Sequence, residues 1–358
     1  MTYSGAGVDT DRAGRELRGL AKVLAQTAAF RPDVGRSVLE HGYYASALRL
    51  DDKLALGICT DGVGSKILVA ERMGRFDTIG IDCIAMNVND LVCIGAEPIG
   101  MVDYVGVEQL QPGVLEQVAR GLLEGARQAR ITIPGGETAQ LPGMIRGERP
   151  GSGLDLVGTA VGLAPMERLN CGEKVAPGDV VIGLRSSGLH SNGYSLARRA
   201  LFEGAGYDVD TYREELQRTV GEELLEPTRI YVRGVMALFE ADIPLKAVCH
   251  ITGDGLLNLN RVAVRVGWEL DTLPEPQPIF KLIEQAGSIA PAEMFTVFNM
   301  GIGLCIVAAT REVDRICDLL RAESPESAPQ VIGRVVEDPD RRVRLPQFGL
   351  KGSGTAFA

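Results

Sequence analysis

Histidine is scarce in this chain: His41, His190 and His250 are the only three among 358 residues. Tryptophan occurs once and aromatics make up 5%. Seven cysteines are present (Cys59, Cys83, Cys93, Cys171, Cys249, Cys305 and Cys317), but no two have the C-x-x-C spacing. That removes the common zinc and dithiol motifs. The odd count, with most thiols in apolar runs such as "GICTDG" and "GLCIVAA", points to a reducing compartment. Positive charge is short: 37 Lys and Arg against 47 Asp and Glu leave a formal net charge of −10. An extended nucleic-acid surface needs a basic patch, so no nucleic-acid partner is expected. No run of about 18 apolar residues could span a membrane. The opening "MTYSGAGVDTDRAG" lacks the apolar core of a signal peptide. A cytoplasmic location is the expectation.

Several motifs are missing too. There is no G-x-x-x-x-G-K-[ST], no G-x-G-x-x-G opening a helix after a strand, no G-x-S-x-G and no H-E-x-x-H. The usual P-loop, dinucleotide-fold, serine-hydrolase and zinc-protease readings lose their support.

What is present is an ordinary globular composition, 45% hydrophobic and 23% charged, at a length that suits two domains. "KLALGICTDGVGSK" reads as a strand from Leu54 to Thr60 and then a turn. In "TIGIDCIAMNVNDLVCIGAEP", Ala85, Val88, Leu91 and Val92 have helical spacing, and Gly95 and Pro98 end it. Val114–Arg130 is an amphipathic helix with Val114, Val118, Leu122 and Ala126 on one face. The charged, Pro- and Gly-bearing "PMERLNCGEKVAPGD" marks a boundary, giving domains at 1–168 and 169–350. Strands and helices mix in both halves, so the fold class is α/β, or α+β layers. "QVIGRVVE" is expected to be the last strand, and the tail from Lys351 to Ala358 to be loose.

Acidic stations sit at the ends of apolar runs beside Gly or Asn: Asp61 in "CTDGVGSK", Asp82 and Asp90 in "GIDCIAMNVNDL", and Glu137 in "PGGETAQLPG". Hard oxygen ligands at strand ends suit a magnesium–phosphate site, and Lys66 stands five residues after Asp61 as a point charge for a phosphate. Taken singly, each acid reads equally as a turn former or helix cap. The glycine-rich "SGAGVD", "DGVGSK", "PGGETA" and "ITGDG" let backbone N–H groups approach an anion. "RSSGLHSNGYSL" is the densest polar loop: Arg185, Ser186, Ser187, His190, Ser191 and Asn192 stand among Gly188 and Gly193, ahead of a helix. His250 ends a strand beside a Gly turn, where core support and ligand contact are both open. His41 sits beside two tyrosines.

The ordered set "YSGAGVD", "TDGVGSK", "GIDCIAMNVNDL", "GAEPIGMVDY", "GGETAQLPGM", "LRSSGLHSNGYSL", "PTRIYV", "HITGDGL" and "FNMGIG" resembles the aminoimidazole ribonucleotide synthetase (phosphoribosylformylglycinamidine cyclo-ligase) family from Tyr3 to about Val335. The resemblance implies a two-domain α/β protein whose N-terminal sheets pair into a barrel-like homodimer, with ATP near that interface. It implies ATP-dependent closure of formylglycinamidine ribonucleotide to aminoimidazole ribonucleotide, a ligase step of purine biosynthesis. On that pattern Asp61, Asp90 and Glu137 are the Mg2+ ligands. Gly5, Gly7, Asp61, Lys66, Asp90, Gly136, Glu137 and Thr138 meet the nucleotide. Ser187, His190, Ser191 and Asn192 meet the substrate. His190 and Asp82 are the catalytic candidates, with His190 as general acid/base. Two departures stand out. "LEHGYYASALRLDD" replaces a "GGFG"-like segment of many bacterial members, which raises His41 and Tyr43 as local substitutes. Asp254 occupies a position that is glycine in many. The competing reading is a sister phosphotransferase of the same superfamily, similar to thiamine-phosphate kinase or selenophosphate synthetase; the latter expects a reactive Cys near the N-terminus. A third is a catalytically silent nucleotide-binding protein.

Overall fold

The structure is a computed structural model that describes residues 1–8, 10–39 and 42–358. His41 lies outside the described residues. Near the start of the chain lies helix α1 (Thr10–Leu24), exposed from Glu16 onward. A first sheet follows, built from β1 (Ser46–Arg49), β2 (Leu54–Gly62), β3 (Glu97–Val107), β4 (Gly136–Gln140) and β5 (Leu154–Pro165). Its order is β1-β2-β5-β3-β4, antiparallel except for the β3–β4 pair. Between β2 and β3 run α2 (Ile67–Met73) and α3 (Ile79–Cys93), and α4 (Val114–Ala129) follows β3.

All fifteen residues of α3 are buried. Its apolar side chains pack under the first sheet, and α4 covers it with Val118, Leu122 and Ala126. Gly80 explains how closely the two helices approach. A Cβ there would lie 2.2 Å from the Leu122 nitrogen, so only glycine lets the backbones meet.

The second sheet has eight strands. They are β6 (Val180–Arg185), β9 (Ala247–His250), β10 (Gly267–Glu269), β11 (Ile302–Ala308), β12 (Gln330–Val336), β13 (Val343–Leu345), β14 (Leu350–Ser353) and β15 (Ala356–Phe357), in the order β15-β14-β13-β10-β12-β6-β11-β9. A separate ribbon pairs β7 (Tyr212–Arg213) with β8 (Arg218–Thr219). Around them lie α5 (Tyr194–Arg198), α6 (Val220–Leu224), α7 (Val232–Glu240), α8 (Pro278–Gly287), α9 (Pro291–Val297) and α10 (Val313–Glu323).

The mixed α/β architecture in two sheets agrees with the sequence reading. The C-terminus does not. "QVIGRVVE" is strand β12, but β13, β14 and β15 follow, and the tail expected to be loose closes the sheet edge. Phe357 is the reason: it is buried against Phe295, with ring centroids 6.2 Å apart. A single aromatic anchor is enough to order a Gly/Ser tail of this length. No helix among the described residues is long and apolar enough to cross a membrane.

Candidate functional site at the junction of the two sheets

The polar residues of α3 face the second half of the molecule. Asn89 donates through Nδ2 to the Arg229 carbonyl (2.9 Å) and accepts from the Tyr231 N–H (2.9 Å). Asp82 accepts from the Thr228 N–H (2.7 Å) and from its hydroxyl (2.6 Å). Asp90 meets His250 at the end of β9, with Oδ1 and Nδ1 2.8 Å apart. These contacts join residues far apart in sequence, so α3 is the spine on which the second half docks.

Lys66 belongs to this lock. It is fully buried, and Nζ donates to Asp82 Oδ1 (2.9 Å) and to the carbonyls of Glu226 (2.6 Å) and His190 (3.3 Å). Its three N–H bonds have three acceptors, and none is left for a phosphate. The sequence reading expected Lys66 to contact nucleotide and Asp82 to act catalytically; the structure places both inside the interface. The pattern "five residues after Asp61" was real, but the 3-10 turn Gly64–Lys66 carries the side chain inward.

Asp61 is placed differently. It ends β2, is half-buried, and its Oδ1 accepts only from the Gly62 N–H (2.7 Å). Burial raises its pKa above the ordinary carboxylate value, with a further push from nearby Asp90; the Gly62 N–H, His250 and Arg261 pull it back. Beside it, Asn87 donates to the Asp61 carbonyl (3.1 Å) and to the Cys83 carbonyl (2.9 Å). Those two bonds fix the amide orientation and leave the buried Asn87 Oδ1 without a partner among the described residues.

Glu137 does not join Asp61. In register, Asp61 faces Gly158, Gly158 faces Asp103, and Asp103 faces Gly136. Side chains alternate along a strand, so Asp61 and Asp103 share the α3 face. Glu137 is paired with Tyr104, and both are exposed on the opposite face. Glu137 Oε1 accepts only from the Thr138 N–H (2.9 Å). A metal site of Asp61, Asp90 and Glu137 is therefore not assembled within one chain, and no group of three metal-ligating residues forms among those described. Asp103, which the sequence reading passed over, holds the inner position next to Gly136. Its burial raises its pKa, and it lines a cavity of about 490 Å³ with Thr138 and α4. The signal was an Asp in the middle of the apolar run "GMVDYVGV".

The loop before α5 is the other half of the junction. Ser187 donates to the Pro227 carbonyl (2.5 Å), and Ser191 shares a hydrogen bond with Thr228 (3.1 Å). Asn192 Oδ1 faces Gly253 of the "ITGDG" turn. His190 takes the left-handed conformation at φ 63°, between Gly188 and Gly193, which also have positive φ. His190 and Ser191 lie in a turn, and the backbone N–H groups from Gly188 to Ser195 make no close backbone hydrogen bond among the described residues. Successive free N–H groups in such a turn form an anion-binding concavity.

His190 itself points away from that concavity. Its ring is buried against Tyr231 and Gly303, where a Cβ would lie 2.4 Å from His190 Cε1 and 2.0 Å from the Tyr231 oxygen. Nε2 accepts from the Ser187 N–H (3.2 Å), so the proton resides on Nδ1, which has no partner. Burial first, then the charges of His250, Lys66 and Arg229, hold the imidazole well below its ordinary pKa. The sequence reading expected a general acid/base here; in the structure the buried ring supports the turn through the Ser187 N–H. The sign of its proton linkage follows. The folded ring stays neutral while the unfolded one protonates near pH 6.5, so stability falls as pH drops below that point. His190→Gln should flatten the stability profile below pH 6.5 by about 1.4 kcal/mol per pH unit relative to wild type. Denaturant melts at pH 5 to 8 check this; parallel profiles would show that the ring is not sealed.

The glycines of the N-terminal segment are closed rather than open. Gly5 N–H donates to Thr2 (3.1 Å) and Gly7 N–H to the Ser4 carbonyl (3.0 Å). The segment lies beside α5, and Arg199, just past that helix, holds the Gly5 carbonyl; burial first, and then the Asp254 charge, raise the Tyr3 pKa. Tyr43, raised as a local substitute, donates to the Val248 carbonyl (3.1 Å).

With this geometry in view, comparison with known proteins is specific. The N-terminal domain of AIR synthase related proteins matches residues 42–164, and the C-terminal domain matches 176–346. A phosphoribosylformylglycinamidine cyclo-ligase from Methanobrevibacter smithii is 45% identical over 338 residues, 94% of this chain and 95% of that one. The chain belongs to the AIR synthase family. The cyclo-ligase of Methanothermobacter thermautotrophicus is 47% identical over 320 residues, covering 89% of this chain and 91% of its own. Among solved structures, the hydrogenase maturation protein HypE in complex with ATP aligns with a TM-score of 0.61 at 18% identity, over 88% of this chain and 87% of that one. T. maritima PurL complexed with ADP aligns at 0.57 and 15%, over 89% of this chain and 46% of its own. At such identities the structures share a fold.

Proposed function

We propose that this chain is the ligase that closes formylglycinamidine ribonucleotide to aminoimidazole ribonucleotide with ATP, in purine biosynthesis. The observation that carries it is the 45% identity to a cyclo-ligase across both halves that build the junction. The reaction balances simply. ATP transfers its terminal phosphoryl group to the formamide oxygen, releasing ADP. The amidine nitrogen then attacks the same carbon, the C–N bond forms, the C–O bond breaks, and phosphate and a proton leave. Because the attack is intramolecular, holding the chain folded back supplies much of the acceleration.

The residues support this division of labour. The N–H groups of Gly188–Ser195 donate to an anionic group of the substrate, and Ser187, Ser191 and Asn192 shape that turn. Asp61, with the unpartnered Asn87 Oδ1 beside it, offers the hard oxygens that Mg2+ takes. When bound, the ion neutralises phosphate charge. Asp90 positions His250, and Glu137 stands on the exposed face of the first sheet. That face carries Ile99 (42% exposed), Val102 (45%) and Tyr104 (38%), an apolar stripe suited to pairing with a second copy. In such a homodimer Glu137, Gly136 and Thr138 would lie by the seam, where nucleotide binds. Domains divided near residue 168 and a cytoplasmic location accompany this reading.

The selenophosphate synthetase-like alternative needs a reactive thiol near the N-terminus. Cys59 is the first cysteine, and burial with nearby Asp90 and Asp61 pushes its thiol far up, away from thiolate. The test is direct: supply ATP, Mg2+ and formylglycinamidine ribonucleotide, and follow ADP and the aminoimidazole. We expect the two to appear in equal amounts. ATP turnover that ignores the ribonucleotide would sink this function.

A further inference from the structure

A cavity of about 670 Å³ opens beside the junction, lined among others by Gly42, Tyr43, Glu173, Asn260, Arg261 and Arg341. Its charge is unusual for a chain of net charge −10. Arg261, Arg265 and Arg341 are grouped here, and none forms an ion pair with a carboxylate among the described residues. Arg342 and Arg344, next in the chain, pair with Asp338 instead. The one acid on the wall among the described residues, Glu173, accepts from the Cys171 N–H (2.9 Å).

Both lining arginines are held in place. Arg261 ends the 3-10 turn Gly255–Arg261, which Asn258 braces by donating to the carbonyls of Gly253 and Gly255 (2.8 Å each). Tyr44, from the first half, donates to the Asn258 carbonyl (3.0 Å), and its ring lies 5.0 Å below the Arg261 guanidinium. Arg341 donates to the Val262 carbonyl (2.8 Å) and to that of Asn260. It does so from a left-handed backbone at φ 57°, a conformation that costs a non-glycine residue energy and needs a reason. Arg341 also sits close enough to Arg265 to feel its charge. Guanidiniums held together with no ion-paired carboxylate among the described residues attract an anion. Arg261 also reaches the other way: its charge acts on Asp61 and Asp254. A group bound to it stands between the cavity and the acid at the end of β2.

We propose that this cavity binds a phosphoryl group of a reaction component, clamped by the forked guanidiniums of Arg261 and Arg341. The planar fork matches two phosphate oxygens at once, which an ammonium cannot do. The phosphoryl group has two sources, the 5′-phosphate of the ribonucleotide or the phosphate chain of ATP. The proposal rests on the cyclo-ligase reading for the identity of those ligands, but not for the anion site itself.

Full-length wild type, Arg261→Met, Arg261→Lys and Arg341→Met are titrated calorimetrically with inorganic phosphate and with ribose 5-phosphate, and the KM of each substrate is measured. Thermal melts check the fold of each variant; Arg261→Lys keeps the charge and the cation–π contact if Arg261→Met is unstable. We expect Arg261→Met to weaken phosphate binding about 10- to 100-fold, with Arg261→Lys recovering only part. The same rise should appear in one KM alone: a rise for the ribonucleotide assigns its 5′-phosphate, and a rise for ATP assigns the nucleotide. Unchanged phosphate affinity and unchanged KM values in folded Arg261→Lys and Arg341→Met overturn the site. Arginine-dependent phosphate binding without ring closure in wild type overturns the function and leaves the site standing.

Discussion

Lys66→Met should lower unfolding stability by about 3–5 kcal/mol, the usual cost of leaving a buried charge without its partner. The reasoning is local. Asp82 is fully buried, and Lys66 is the cation that faces it, while Thr228 supplies neutral donors to the same carboxylate. Methionine fills nearly the same volume, so the loss is electrostatic rather than a cavity. Two carbonyls, of Glu226 and His190, lose their donor as well. Lys66→Met with Asp82→Asn should regain a large part of the loss, because it removes both charges together. Urea unfolding of the two single variants and the double variant forms the cycle that measures this. A Lys66→Met protein of wild-type stability that no longer binds ATP would return Lys66 to the phosphate role.

Asp61→Asn should leave the fold intact and reduce turnover by about 100-fold or more, the scale of losing one preorganised charge at a phosphoryl-transfer site. Asp61 is the one acid among those foreseen in the sequence that stands half-open at the junction with an oxygen free of protein donors. Asparagine keeps the shape and the Gly62 hydrogen bond but not the charge. Since burial raises the carboxyl's pKa, removing the ionised form should not lower stability; the variant should melt at or slightly above wild type. Turnover, Mn2+ binding by electron paramagnetic resonance and a thermal melt separate these effects. Wild-type turnover in Asp61→Asn would remove it from the chemistry altogether.

The contrast between these two residues shows what patterning can and cannot read. Both sit in "TDGVGSK", and both have residue types suited to phosphate chemistry. Strand β2 and helix α3 were legible because hydrophobic period alone specifies them. So was Asp61 at a strand end. The direction of Lys66 was not, because a single 3-10 turn decides whether its side chain meets water or Asp82. The face that Glu137 takes was not legible for a related reason. Strand alternation puts it opposite Asp61, but that follows only once the β3–β4 register is known, and register is a tertiary property. His190 shows the same limit. A glycine-flanked polar loop did signal an anion-binding turn, yet the ring was drawn inward by the space at Gly303, more than one hundred residues away.

The sequence by itself determined the α/β class, the ordered motifs of the family, the strand-end position of Asp61 and the glycine-hinged loop around His190. Each of these depends on neighbours a few residues apart, through hydrophobic period, turn chemistry or motif order. Only the tertiary structure decided which polar residues lock the two halves together and which stay open at the junction. Asp82, Asn89 and Asp90 on α3 are bound by partners more than 130 residues away. A carboxylate's role depends on whether water or a distant donor reaches it first, and the chain must fold before that is settled.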